Sequence, residues 1–189
     1  MSLLKENSTM HFKAGLKKIL LVIFSVFLLL LLFFGYQKEM KLQNLAYEEI
    51  RNAEWYFDLP RARIENNSEP KGSELIQPYQ DFRSKKYSAS AKKLRFLLLE
   101  DPGNDQYSLF LAFSLLAQLE IDESLEMIQT CMESDDEYIR QDAEWLLSLY
   151  LILQDEKKKS IELMEQLIEQ RSNYFNEAKA ILPLLKASM

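Results

Sequence analysis

The sequence predicts an all-α protein: a single N-terminal transmembrane helix followed by an array of about three helical hairpins with a terminal capping helix. Two observations carry that prediction. Residues Ile19 to Phe34 read ILLVIFSVFLLLLLFF, interrupted only by Ser25. Further on, apolar residues recur at three- and four-residue spacing, and a small-then-apolar pattern returns twice at intervals of 34 and 36 residues.

The apolar run sets the membrane element. With Gly35 and Tyr36 it covers 19–36, and at about 1.5 Å per residue it spans roughly 27 Å against a hydrocarbon core of about 30 Å. Lys17 and Lys18 close the difference by snorkelling from a helix that starts a turn earlier. A buried helix of a soluble domain has little use for so long an apolar stretch. A cleaved signal peptide would end in small residues, whereas this run ends in Phe33, Phe34, Gly35 and Tyr36. An uncleaved anchor is expected. Lys5, Lys13, Lys17 and Lys18 precede it against Glu6, and Lys38, Lys41 and Arg51 follow. The bias places residues 1–18 in the cytoplasm and the C-terminal part on the outer, periplasmic side of the inner membrane.

Beyond the anchor, residues 37–74 read as a helical stalk and linker. Leu42, Leu45, Ala46, Ile50 and Ala53 have helical spacing up to about Glu54, Pro60 follows, and Glu65 to Glu74 contains no apolar residue except Pro70. The packed domain is expected over 75–189.

That domain contains the repeat. Ser90, Leu94 and Leu97 are followed by Ser124, Ile128 and Cys131, and then by Ser160, Met164 and Leu167. Each set falls on the second helix of a pair, with its small residue near the helix start, where helices cross closely. The first helices are expected over about Leu75 to Arg83, Asp105 to Leu119 and Ile139 to Leu153. Their own small positions are Ala112 and Ser148, with Pro78 at the matching place in the first pair.

Hairpins of this period resemble tetratricopeptide repeats over about Leu75 to Gln170, with a cap from about Tyr174. The layout is similar to that of small membrane-anchored tetratricopeptide proteins of the Bacteroidetes, some of which carry an anti-sigma-like segment before the membrane. The features that match are Tyr56-Phe57 and Pro60-Arg61 after the stalk, Asp142-Ala143-Glu144-Trp145 in the third hairpin, and a small-residue-rich helix over Asn176 to Leu182. The eighteen residues before the apolar run are too few for an anti-sigma domain. The resemblance implies that the first helices line a concave face. It projects Tyr79, Phe82, Leu109, Phe113, Leu116, Trp145, Leu149 and Ile152 onto that face as a candidate protein-binding groove, and assigns close packing to Ser90, Ala112, Ser124, Ser148 and Ser160. The alternative is that the same face is buried within a compact bundle.

Composition excludes several chemistries. The chain carries −6 overall, and the part after Tyr36 holds 19 basic and 28 acidic side chains, net −9. Its basic clusters, such as Lys157-Lys158-Lys159, are short and acid-flanked, so no nucleic-acid partner is expected. His11, the only histidine, lies before the membrane run, which removes histidine triads and histidine metal sites from the outer domain. Cys131 is the only cysteine and reads as a minor core residue. Gly15, Gly35, Gly72 and Gly103 have no phosphate-cradling spacing. The acidic turn Glu133, Asp135, Asp136, Glu137 lacks the calcium-loop spacing and its glycine, and reads as capping residues in solvent. Glu165 and Glu169 read as exposed helix-face carboxylates.

The expected function is a non-enzymatic scaffold or adaptor in the cell envelope, without cofactor or metal. Its expected partners are a protein or peptide and, through 19–36, the lipid bilayer. An accessory component of membrane-linked signalling or transcriptional regulation is the alternative, with a carboxylate-based hydrolase a distant third.

Overall fold

The computed structural model describes residues 3–51 and 73–189, with the side chains of the first helix described from Ile23 onward. Among the described residues there are eight α-helices and no strand. They are α1 (Leu3–Arg51), α2 (Ile76–Arg83), α3 (Tyr87–Glu100), α4 (Asp105–Leu116), α5 (Ile121–Met132), α6 (Glu137–Leu153), α7 (Lys157–Glu169) and α8 (Phe175–Lys186), with a 3-10 turn at Ser73–Leu75 ahead of α2. The chain divides into two compact units, Met1–Lys41 and Leu42–Met189.

In the first unit, the large apolar side chains from Ile23 to Phe34 stand exposed around the helix; Phe24 and Phe34 are each about two-thirds accessible. Such a surface is stable against hydrocarbon and unfavourable in water. α1 is the one helix among the described residues that is long and apolar enough to cross a membrane. These features are consistent with a single-pass membrane protein.

The second unit begins earlier than the composition suggested. Leu42, Ala46 and Ile50 are buried in the same apolar cluster as α4 and α6. The end of α1, within the segment read from sequence as helical stalk, is therefore packed in this unit. Tyr56, Phe57, Pro60 and Arg61 lie outside the described residues.

From α2 to α8 each helix packs on the next, and α4 also packs on α6. The recurring small residues of α3, α5 and α7 face inward. Ser90, Ser124 and Ser160 are fully buried, as are Leu94, Ile128, Cys131, Met164 and Leu167. A buried hydroxyl must find an acceptor. Ser124 Oγ donates to the carbonyl of Ala112 at 3.3 Å, and Ser160 Oγ to that of Ser148 at 2.9 Å. The first pair, where Pro78 replaces the small residue, does this differently: Ser90 Oγ shares a 3.0 Å hydrogen bond with Ser114 Oγ of α4. Buried Asp81 of α2 is paired with Lys93 of α3.

One tight turn closes α2, α4, α6 and α7. Lys85, Leu119, Asp155 and Arg171 each have φ between 53° and 63°, the left-handed region. The residue after each donates its N–H to the carbonyl five residues before it, as in Lys86 to Asp81 (2.8 Å), Glu120 to Leu115 (3.0 Å) and Glu156 to Leu151 (2.9 Å). This is the Schellman closure, which glycine usually occupies. The first three left-handed residues repeat at 34 and 36 residues, in step with the serines.

A branched side chain in the left-handed region is strained, so glycine should relieve it. Leu119→Gly is expected to stabilise the fold by about 0.5–1 kcal/mol, the relief exceeding the extra entropy of the unfolded chain. Denaturant unfolding measures this, and a loss of stability would show that the Leu119 side chain contributes more than its strain costs.

Candidate protein-binding site

The face expected to form a groove is built mainly by α4 and α6. Asn104 starts α4, accepting from Tyr107 N at 3.1 Å, and Asp136 starts α6, accepting from Tyr138 N at 2.8 Å. α4 then runs YSLFLAFSLL, and every residue from Tyr107 to Leu116 is buried. A helix without a polar face belongs inside a domain.

The eight candidate residues follow from that. Phe82, Leu109, Phe113, Leu116, Trp145, Leu149 and Ile152 are all buried, at 2% exposure or less. Tyr79 is half-buried, with Arg83 over its ring at 5.6 Å. An open groove would leave these side chains to solvent, and here they are enclosed. The packing residues Ser90, Ala112, Ser124, Ser148 and Ser160 are buried at the helix crossings.

The end of α1 also makes polar contacts in this unit. Tyr47 Oη donates to the carbonyl of Ala117 at 2.9 Å, and Arg51 Nε donates to Tyr87 Oη at 3.1 Å. The Arg51 guanidinium also lies over both tyrosine rings, at 5.1 and 5.4 Å. The helical spacing of Leu42, Ala46 and Ile50 was visible in the sequence. What it packs against was not.

The Asp142-Ala143-Glu144-Trp145 motif ties α6 to the start of α8. Trp145 stacks on Tyr174 with ring centroids 5.2 Å apart and planes 7° from parallel, and the Tyr174 hydroxyl donates to Asp142. Ala143 is fully buried beside them. Burial, reinforced by Glu137, raises the Glu144 carboxyl above its ordinary value, and Arg140 opposes the shift.

Exposed large apolar side chains of the second unit include Ile76, Leu119, Tyr138 and Leu184, and on α3 two of them fall together. Phe96 and Leu99, less than one turn apart on α3, are 61% and 79% exposed. Beside them Arg95 holds Glu123 (2.8 and 2.6 Å) and Glu120 (3.0 Å). That contact lowers the Glu123 carboxyl below its ordinary value.

The acidic turn lies on an open depression of about 400 Å³, lined by residues that include Asp101, Asp105, Asp135 and Asp136. No group of three or more histidine, cysteine, aspartate or glutamate side chains among the described residues is placed to hold a metal ion. Cys131 is a buried free thiol. Burial pushes it up to about 12, with Asp105 and Asp142 adding to the shift.

No protein-family model, curated protein or solved structure matches this chain.

Two outcomes follow from these positions. Phe113→Ala and Trp145→Ala should each destabilise the fold by about 3–5 kcal/mol, as buried aromatic truncations do; equilibrium unfolding in denaturant reads this. The Cys131 thiol should resist alkylation until the protein unfolds. Because folding raises its pKa above the ordinary 9.0, its contribution is intact below pH 9 and is lost as pH rises toward about 12. Cys131→Ala should remove that part of the alkaline loss.

Proposed function

We propose that the protein is a non-enzymatic, membrane-tethered interaction scaffold of the cell envelope, with a tetratricopeptide-like helical array as its binding module. One observation supports this reading above the rest. A single helix, α1, carries a lipid-compatible apolar surface along Ile23 to Phe34 and, at its end, residues buried in the core of the helical unit. The same helix that would anchor the chain thus also contributes to the fold it anchors. The recurrence of buried serines and left-handed turns at 34 and 36 residues supports a repeat array. Function on such a scaffold resides in its surfaces.

With the first-helix face covered, the exposed edge of α3 is the contact surface this reading favours. Phe96 and Leu99 stand in solvent beside the Arg95 cluster, an apolar pair with a charged rim. The N-terminus is assigned to the cytoplasm and the helical unit to the periplasmic side.

Phe96→Asp and Leu99→Asp should change stability by less than about 0.5 kcal/mol, since both side chains are exposed. The same changes should reduce cross-linked partner recovered from detergent-solubilised membranes at least about tenfold, the size of a modest hot spot. Undiminished recovery would remove this surface. For orientation, a cysteine placed within 65–74 should react with a membrane-impermeant reagent once the outer barrier is opened. One placed at Asn7 should not react, and the reverse pattern would invert the assignment.

A further inference from the structure

α3 carries apolar residues on two faces. Tyr87, Ala91 and Leu94 are buried and form the inner stripe that packs the helix into its domain. On the other side Ser88, Lys92, Phe96 and Leu99 are all exposed and follow one another along the helix. At about 100° per residue, Lys92, Phe96 and Leu99 lie within about 60° of one another. Only the inner stripe has to be apolar for the helix to pack. Phe96 and Leu99 contribute little to that packing and stand together in solvent.

The charge along this outer stripe is opposite to that of the unit that carries it. Residues 82–99 hold six basic side chains and no acidic one, whereas the chain after Tyr36 is net −9. Two of the six are neutralised, because Lys93 pairs with Asp81 and Arg95 with Glu120 and Glu123. Arg83 lies over the Tyr79 ring. Lys85, Lys86 and Lys92 are exposed and make no ion pair among the described residues. Exposed Glu100 and Asp101 bound the face at its far end. The face is therefore basic where α3 begins and apolar where it ends.

We propose that this face of α3 docks on an anionic bilayer surface, with Phe96 and Leu99 in the headgroup–acyl boundary and Lys85, Lys86 and Lys92 on lipid phosphates. Apolar residues beside lysines are the combination that interfacial binding uses, burial and attraction to anionic headgroups acting together. Three lysines near such a surface multiply the docking constant on the order of a hundredfold. The anchored reading of α1, on which this inference rests, keeps lipid at high local concentration. A diffusing acidic protein has no such advantage and is slowed by the net charge of the unit. The same headgroups repel the acidic remainder of the unit, which leaves the α3 face as the side that approaches them. Docking withholds the α3 edge from a protein partner, so lipid charge regulates the contact surface proposed above.

The test uses the purified full chain in nanodiscs of phosphatidylcholine alone and of an equal mixture with phosphatidylglycerol. Amine acetylation, read lysine by lysine by mass spectrometry, reports the docking, with exposed Lys158 on α7 as the internal reference. Relative to Lys158, Lys85, Lys86 and Lys92 should react at least about fivefold more slowly in the anionic discs, and raised salt should remove the difference. Phe96→Ser together with Leu99→Ser should abolish the protection, while leaving an exposed surface that the fold does not need. Equal reactivity in the two lipids would overturn the proposal. Protection that survives the double serine change would overturn the insertion of the apolar pair. Absence of lipid-dependent protection, with partner recovery still lowered by Phe96→Asp, would give the α3 edge to a protein alone. Failure of the chain to stay with the discs would instead overturn the anchored reading.

Discussion

A helix that is apolar on every side has to be enclosed, and α4 is that helix. From Tyr107 to Leu116 it offers no face to water. α3 and α5 cover it as chain neighbours, and α6 lies alongside. The end of α1 is held at its C-terminal end by the Tyr47 to Ala117 hydrogen bond. Water left against the phenylalanine and leucine side chains of α4 would cost about 1.5–3 kcal/mol for each large side chain exposed. That sum is large beside the stability of a small domain. The closed first-helix face and the burial of Leu42, Ala46 and Ile50 are two consequences of this one constraint.

Close approach supplies the second constraint, and serine meets it at a cost that the structure offsets locally. At Ser124 and Ser160 the side chains are fully buried against the preceding helix. Each hydroxyl donates to a carbonyl of the partner helix, at Ala112 and Ser148. The acceptor is already used once within its own helix, so it contributes a second lone pair and loses nothing. The Ser90–Ser114 contact shows the same requirement met between α3 and α4, across two pairs instead of within one. Serine thus sits at each close approach without leaving an orphan, and it ties each pair to a defined register.

How much of this was legible in the sequence differs from element to element. The apolar run, the helix positions after Leu75 and the inward serines could be read, because each rests on spacing within one helix. The left-handed turns could not, since Lys85, Leu119 and Asp155 lack the glycine that signals such a turn, and only the hydrogen-bond pattern of the fold imposes it. The state of the first-helix face was also beyond reach. Phe113 and Trp145 have the same periodicity whether they meet a partner, solvent or their own chain. The stripe Leu42–Ala46–Ile50 was readable as helix, but it follows the membrane span without a break, and nothing local separates a stalk from a docked segment. What decides between them is non-local: a tyrosine hydroxyl reaching a carbonyl seventy residues away.

The net charge of the second unit bears on which partners it meets first. The chain after Tyr36 carries 28 acidic against 19 basic side chains. A charge distribution of this sign speeds the encounter with basic partners and slows it with acidic ones, more than it sets final affinity.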